Sequence, residues 1–348
     1  MLNIEEIFKK AVEERASDVH LVVGQPPIFR IDGELKTKKE WPVLRREVLE
    51  KAINEIISEE QRKKFLSNKD LDFSYETENF ARLRVAIFQE RGNFSLAARI
   101  IPSQIPTMEE IRMPKMAYEF ARGDRGLILV TGPAGCGKST SLAAMINLIS
   151  QEKSVQIITL EDPIEYVFSS DKSIIVQREL GKDMISFHEA LKHAVRQDPN
   201  VIMIGEMRDL ETISSAVTLA ETGHLILATL HTPDSIQTIT RIIDIFPPHQ
   251  QNQIRVQLSL SLKGVIAQKL LPKNGGGRIA TREVLVNTHA VANLIRENKI
   301  AQIRTHLQTG ANEGMFTMDQ DIKKLYKEGL ITKETALTHM INPEELKG

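Results

Sequence analysis

The nine residues GPAGCGKST, Gly132 to Thr140, constrain this chain more than any other stretch. They follow the apolar run LILVT and precede SLAAMINLIS, which has the composition of a helix. Strand, Gly-x-x-x-x-Gly-Lys-[Ser/Thr], then helix is the context in which this pattern forms a phosphate-binding loop. Glycines let backbone N–H groups close around a phosphate at a helix N-terminus. The expected cradle is Gly132, Pro133, Ala134, Gly135, Cys136, Gly137, Lys138, Ser139 and Thr140. In it Lys138 reaches the β- and γ-phosphates of a nucleotide, and the Ser139 hydroxyl ligates Mg²⁺.

Such a loop needs a sheet around it, and the flanking sequence supplies one. GLILVTG, VQIITLED, NVIMIGE and HLILATLH are short, continuous apolar runs. Strands of this kind are buried on both faces, as in a parallel sheet covered by helices. Between them, Ser186 followed by Glu189 predicts a capping box opening a helix that stops before Pro199. Another helix, from about Leu210, is expected to end near Gly223. AQKLLP and RIATREVLV read as a hairpin joined at KNGGG, and residues 289–348 read as helical.

The first hundred residues have a different texture. A helix is expected over 3–15, strands around a turn in SDVHLVVGQPPIFRIDGEL with a hairpin at Asp32-Gly33, and helix over 44–65. ARLRVAIFQERGNFSLAARII reads as two strands turning at Arg91, Gly92 and Asn93. The mixture predicts a small α+β domain over 1–101. Pro102, Pro106 and Pro114 mark a linker over 102–115, ahead of an α/β core over 116–288.

Composition narrows the function. Of 348 residues 41% are hydrophobic and 26% charged, with a formal net charge of −1. No basic field draws the chain to nucleic acid or anionic lipid, and 5% aromatic residues offer little for base stacking. There is no apolar run long enough for a spanning helix and no signal-peptide pattern, so a cytoplasmic location is expected. Cys136 is the single cysteine, which excludes an internal disulfide and a tetracysteine zinc site.

Hydrolysis needs an acid to orient water, and acids belong at strand C-termini in such sheets. Glu206 follows NVIMIG, with Gly205 where an aspartate would usually assist magnesium; Glu161 and Asp162 end IITLED. Glu206 is expected to orient water and Glu161 to act on the Mg²⁺ shell or the nucleophile, roles that could be exchanged. His224 and His231 bracket LILATL, roughly 23 Å apart on a strand. His231 sits at the same strand ends as the acids, and imidazole responds to the charge lost on hydrolysis. His224 is at the far end, where capping is as good a reading as function. Arg82 and Arg84 share a strand face and Arg99 returns beside them; they are either trans-acting cations over a neighbour's nucleotide or solvated surface arginines. Arg112 is a weaker candidate, and His20 reads as a residue of the fold. Cys136, at a helix N-terminus beside Lys138, is expected to have a lowered pKa and to react with alkylating reagents.

With these residues assembled, the chain resembles the secretion ATPase superfamily, specifically the PilT-type pilus retraction ATPases. The likeness runs through ASDVHL, PPIFRIDGEL, GPAGCGKSTSLAAMIN, LEDPIEY, RQDPNVIMIGEMRDLETISSAVTLAETGHLILATLHT, IIDIFPPHQQ and LVNTHAVANLIRENKIAQI. It implies a RecA-like core with a PAS-like N-terminal domain, ATP and Mg²⁺ as cofactors, and a homo-hexamer acting on an inner-membrane pilus platform protein (PilC-like). It also implies an acidic box at Glu161 and Asp162, an atypical Walker B acid at Glu206, and a histidine box containing His224 and His231. The compact, cysteine-poor chain fits the retraction type better than the assembly and export types. AVANLIRE, residues 290–297, has Ala292 where that type carries arginine, so an accessory retraction role stays open. A related secretion or assembly motor, a nucleic-acid motor and a nucleotide-dependent scaffold are the rivals.

Overall fold

The computed structural model describes residues 3–77, 82–101 and 104–347. Ala81, at the head of an expected strand, and Pro102, at the head of the expected linker, lie outside the described residues. The chain divides into two compact units, Met1–Gln104 with Pro163–Val167, and Ile105–Asp162 with Phe168–Gly348.

The first unit opens with α1 (Ile4–Glu13), which starts where the Asn3 side chain accepts from the Glu5 and Glu6 N–H groups. Then come β1 (Asp18–Leu21), β2 (Ile28–Ile31), β3 (Glu34–Thr37), α2 (Arg46–Ile56), α3 (Glu59–Asn68), β4 (Asp70–Glu76), β5 (Arg82–Glu90) and β6 (Asn93–Ile101). The sheet order is β3-β2-β1-β6-β5-β4, with antiparallel pairing throughout. Both expected hairpin turns carry two left-handed residues in succession: Asp32 and Gly33 at φ 53° and 90°, Arg91 and Gly92 at 50° and 77°. Those angles suit the right-handed twist of the strands they join. The helical stretch expected over 44–65 is two helices, because Ser58 forms a capping box with Gln61 and restarts the chain. One face of the sheet and the helices close over Phe8, Phe29, Phe65 and Leu96, all fully buried.

The second unit runs α4 (Lys115–Arg122), β7 (Gly126–Thr131), α5 (Lys138–Glu152), β8 (Gln156–Glu161), β9 (Ile174–Glu179), α6 (Phe187–Ala194), β10 (Val201–Ile204), α7 (Leu210–Glu221) and β11 (Leu225–Leu230). It continues with α8 (Ser235–Asp244), α9 (Pro248–Ser261), β12 (Leu262–Pro272), β13 (Arg278–Val286), α10 (His289–Arg296), α11 (Ile303–Thr309), α12 (Met318–Lys327) and α13 (Lys333–His339). Its sheet has the order β13-β12-β7-β11-β10-β8-β9, and only the β12–β13 hairpin is antiparallel. Alternate residues serve opposite faces, as strand geometry requires. Leu127, Leu129, Ile202, Ile204, Ile226 and Ala228 join one apolar layer, while Ile128, Val130, Val201, Met203, Leu225 and Leu227 join the other. Every residue of β7, β10 and β11 is buried, which is why these strands read as unbroken apolar runs.

Two further details differ from the sequence reading. Residues 105–115 group with the second unit, and Met108 and Met113 are buried in the same layer as Ile128 and Val130. At α6 the Ser186 hydroxyl accepts from the Glu189 N–H, but the Glu189 carboxylate turns to Lys192 and His193 instead of back to the cap. One good acceptor at the cap suffices to start the helix.

Candidate nucleotide-binding site

Parallel register brings four strand ends to one edge. Leu230 of β11 pairs with Thr131 of β7, and Ile204 of β10 lies between Ala228 of β11 and Leu160 of β8. One residue later the chain reaches Gly132, His231, Gly205 and Glu161. Ligands of open α/β sheets bind at this carboxyl edge.

The loop after β7 turns through Gly132, Gly135 and Gly137 at φ 143°, 72° and 87°. A Cβ at Gly132 would stand 2.2 Å from the Gln268 carbonyl oxygen and 2.7 Å from Cys136 Sγ, so only glycine fits against β12 there. Gly137 is the N-cap of α5, whose first residue is Lys138, with Ser139 and Thr140 following in the first turn. The Lys138 ammonium donates to the Gly132 and Pro133 carbonyls at 2.8 and 3.0 Å. A glycine-turned loop on the N-terminus of a fifteen-residue helix, with a buried lysine held at its mouth, fits a nucleotide polyphosphate. Among the described residues no cluster of three His, Cys, Asp or Glu could hold a metal alone. Magnesium at phosphate sites needs only one or two protein ligands beside the phosphates and waters.

From the lysine a polar chain crosses to the acid. Lys138 Nζ lies 3.3 Å from His231 Nδ1, and His231 Nε2 lies 3.2 Å from Glu206 Oε1. An ammonium can only donate, so Nδ1 accepts and Nε2–H donates to the carboxylate. Glu206 Oε2 takes an ion pair from Arg208 at 2.7 Å. Burial pushes the Glu206 carboxyl up, but Arg208 and His231 outweigh it and hold the group below the usual carboxylate range. The Arg208 guanidinium is pushed up in turn by its bond to Glu206.

Glu161 is buried at the end of β8, where Oε1 accepts from Thr159 Oγ1 at 2.6 Å and Gln177 Nε2 at 3.1 Å. These donors fix its orientation. The missing aspartate at 205 has a steric correlate. A Cβ on Gly205 would meet the Leu160 carbonyl oxygen at 3.2 Å and Glu161 Cα at 3.4 Å. Close approach of β10 to β8 at this point makes the contacts of a side chain there tighter than usual.

Other expected residues lie elsewhere. His224 precedes β11 at the opposite edge from His231; its Nδ1 donates to the Leu219 carbonyl at 3.1 Å, closing the C-terminus of α7. Arg82, Arg84 and Arg99 belong to the first unit. Arg84 stands opposite Arg99 in the β5–β6 register, and Arg99 pairs with Asp18 at 3.0 Å. His20 is half-buried in β1, and burial pushes its pKa down. The expected acidic thiol at Cys136 is corrected. Its side chain is 3% exposed beneath the loop, and burial pushes the thiol up despite Lys138. Two residues that sequence reasoning passed over belong to the site, Arg208 and Gln268. Arg208 could have been found two residues after Glu206 in GEMRD, where the chain turns after the strand.

A family model described as type II/IV secretion system protein matches residues 2–337. The chain is 43% identical over 343 residues to the type IV pilus retraction ATPase PilT of Pseudomonas aeruginosa, covering 99% of each. It is 39% identical over 347 residues to the type IV pilus ATPase PilU of the same organism, covering 99% of this chain and 91% of that one. A crystal structure of the pilus retraction motor PilT with bound ADP matches with a TM-score of 0.91 at 48% identity, covering 100% of this chain and 99% of that chain.

Proposed function

The chain belongs to the type II/IV secretion system protein family, and from that premise we propose that it is the ATP-hydrolysing motor of type IV pilus retraction. The likeness to PilT over the whole length supports the reading, and the Lys138–His231–Glu206 chain at the mouth of the phosphate loop carries it. It is an α/β protein with a RecA-like core, and it turns over ATP with Mg²⁺.

Bound ATP would supply the phosphoryl group, and Mg²⁺ would neutralise its charge, held through Ser139 and the Glu161 side of the edge. Glu206, ionised across the neutral range, holds and orients the attacking water by accepting its hydrogen bond. Bound nucleotide would draw Lys138 from the loop carbonyls toward the phosphates, and His231 would then give up its lysine contact. The imidazole therefore reports phosphate occupancy to the carboxylate that orients the water. Asp162 lies at the end of the second unit's first segment, and Pro163–Val167 groups with the first unit. Chain crossings beside Glu161 and after Gln104 are where an interdomain rotation would be taken up.

Hexamer formation, arginines Arg82, Arg84 and Arg99 acting on a neighbour's nucleotide, and a role for His224 at such an interface are parts of the same proposal. So is location at the cytoplasmic face of the inner membrane on a pilus platform protein. Among the described residues no helix is long and apolar enough to cross a membrane. Ala292, half-buried in α10, favours one second reading, an accessory retraction ATPase. Deleting the gene should raise the number of surface pili and abolish twitching, with restoration by the wild type and not by Glu206→Gln. Unchanged piliation together with unchanged twitching would reject the retraction role. Loss of twitching with normal piliation would favour the accessory one.

A further inference from the structure

Beneath the phosphate loop, on β12, lies a glutamine that the chemistry above does not use. Gln268 is 1% exposed, and both ends of its amide are engaged. Nε2 donates to the Cys136 carbonyl at 2.7 Å, and Oε1 accepts from Ser141 Oγ at 2.8 Å. A carbonyl can only accept, so the amide orientation is fixed by its partners. The backbone of the same residue packs against Gly132, at the other end of the loop. Gln268 thus touches the start of the loop, its middle and the first turn of α5.

The Cys136–Gly137 peptide is planar, so its C=O and N–H point in opposite directions. With the carbonyl drawn down onto Gln268, the Gly137 N–H is aimed away from β12, toward the mouth of the loop. Gly137 has φ 87°, and glycine populates both signs of φ with little penalty. Nothing in the residue itself would keep this peptide from turning over. We propose that Gln268 is a positioning residue that locks the Cys136–Gly137 peptide in the orientation that donates to phosphate. Ser141 completes the lock by holding the far end of the amide. The inference rests on the nucleotide-binding reading of the loop.

Full-length wild type, Gln268→Glu and Ser141→Ala are compared for binding of a fluorescent ADP and for steady-state phosphate release, with thermal melts to check folding. Ionised glutamate keeps an acceptor for Ser141 and loses the donor to Cys136, and assays at alkaline pH keep it ionised. Its Kd for ADP and KM for ATP should both rise about tenfold, with kcat changing less than KM. Ser141→Ala should raise both by about threefold. A folded Gln268→Glu protein with wild-type affinity overturns the proposal, as does a loss confined to kcat. Should Gln268→Glu fail to fold, Ser141→Ala decides, and unchanged affinity there overturns it. Wild type that binds no ADP would instead refute the nucleotide-binding reading itself.

Discussion

Glu206 keeps both carboxylate oxygens engaged, one by His231 and one by Arg208. Its folded pKa is depressed, so its ion-pair stabilisation is present above the unfolded value of about 4.3 and is lost as pH falls through the folded one. Phosphate release should therefore show no acid limb from this group in the ordinary carboxylate range. Arg208→Gln removes the largest influence lowering that pKa, and a pH profile of kcat should show an acid limb displaced upward. An unmoved limb would mean that Arg208 does not govern the acid. Cys136 gives a second test at this scale. Buried and raised in pKa, it should react with a thiol reagent far more slowly in the native protein than in denaturant. Rapid stoichiometric labelling of the native protein would contradict the packing beneath the loop. The residue types of the phosphate loop, Glu206 and His231 were legible because motif and strand end coincide in sequence. Gln268 was not, since it lies more than a hundred residues from the loop and its role appears only when β12 pairs with β7.

At the scale of elements, the apolar runs of the parallel sheet announced themselves because burial on both faces removes alternation. β4 and β9 did not. β4 is DLDFSYE, with charged outer positions, and β9 has exposed Ile174 and Val176 on the sheet edge. The fit of β12 to its neighbours yields a stability prediction. A Cβ on Gly264 would meet Phe120 Cζ at 2.2 Å and the Leu285 carbonyl oxygen at 2.6 Å. The backbone oxygen cannot give as a side chain can, so Gly264→Ala should cost about 1–3 kcal/mol in a denaturant titration. A neutral substitution would show that the β12–β13 hairpin adjusts more freely than its close contacts imply. The expected linker is instructive in the same way. Its prolines read as a linker, yet Met108 and Met113 are core residues and Arg282 donates to the Arg112 carbonyl at 3.1 Å. Proline marks an irregular backbone, not an unpacked one.

For the whole molecule, the two-unit division was visible as a change from alternating to continuous apolar patterning. The return of Pro163–Val167 to the first unit was not, because nothing local marks it. Assembly is where the arginines are tested. If Arg84 acts on a neighbour's nucleotide, Lys138→Ala and Arg84→Ala proteins should each be inactive alone and regain a fraction of turnover when co-assembled. Equal inactivity of the mixture would place the arginine outside the trans site, as a surface cation beside the Arg99–Asp18 pair. The central claim, that the strand-end acid orients water beside a phosphate loop, is tested most directly by steady-state phosphate release from wild type and Glu206→Gln with nucleotide binding measured in parallel. The account predicts turnover reduced at least a hundredfold with binding retained, in line with the loss of a water-positioning base. Turnover unchanged in Glu206→Gln would contradict it and move the role to Glu161.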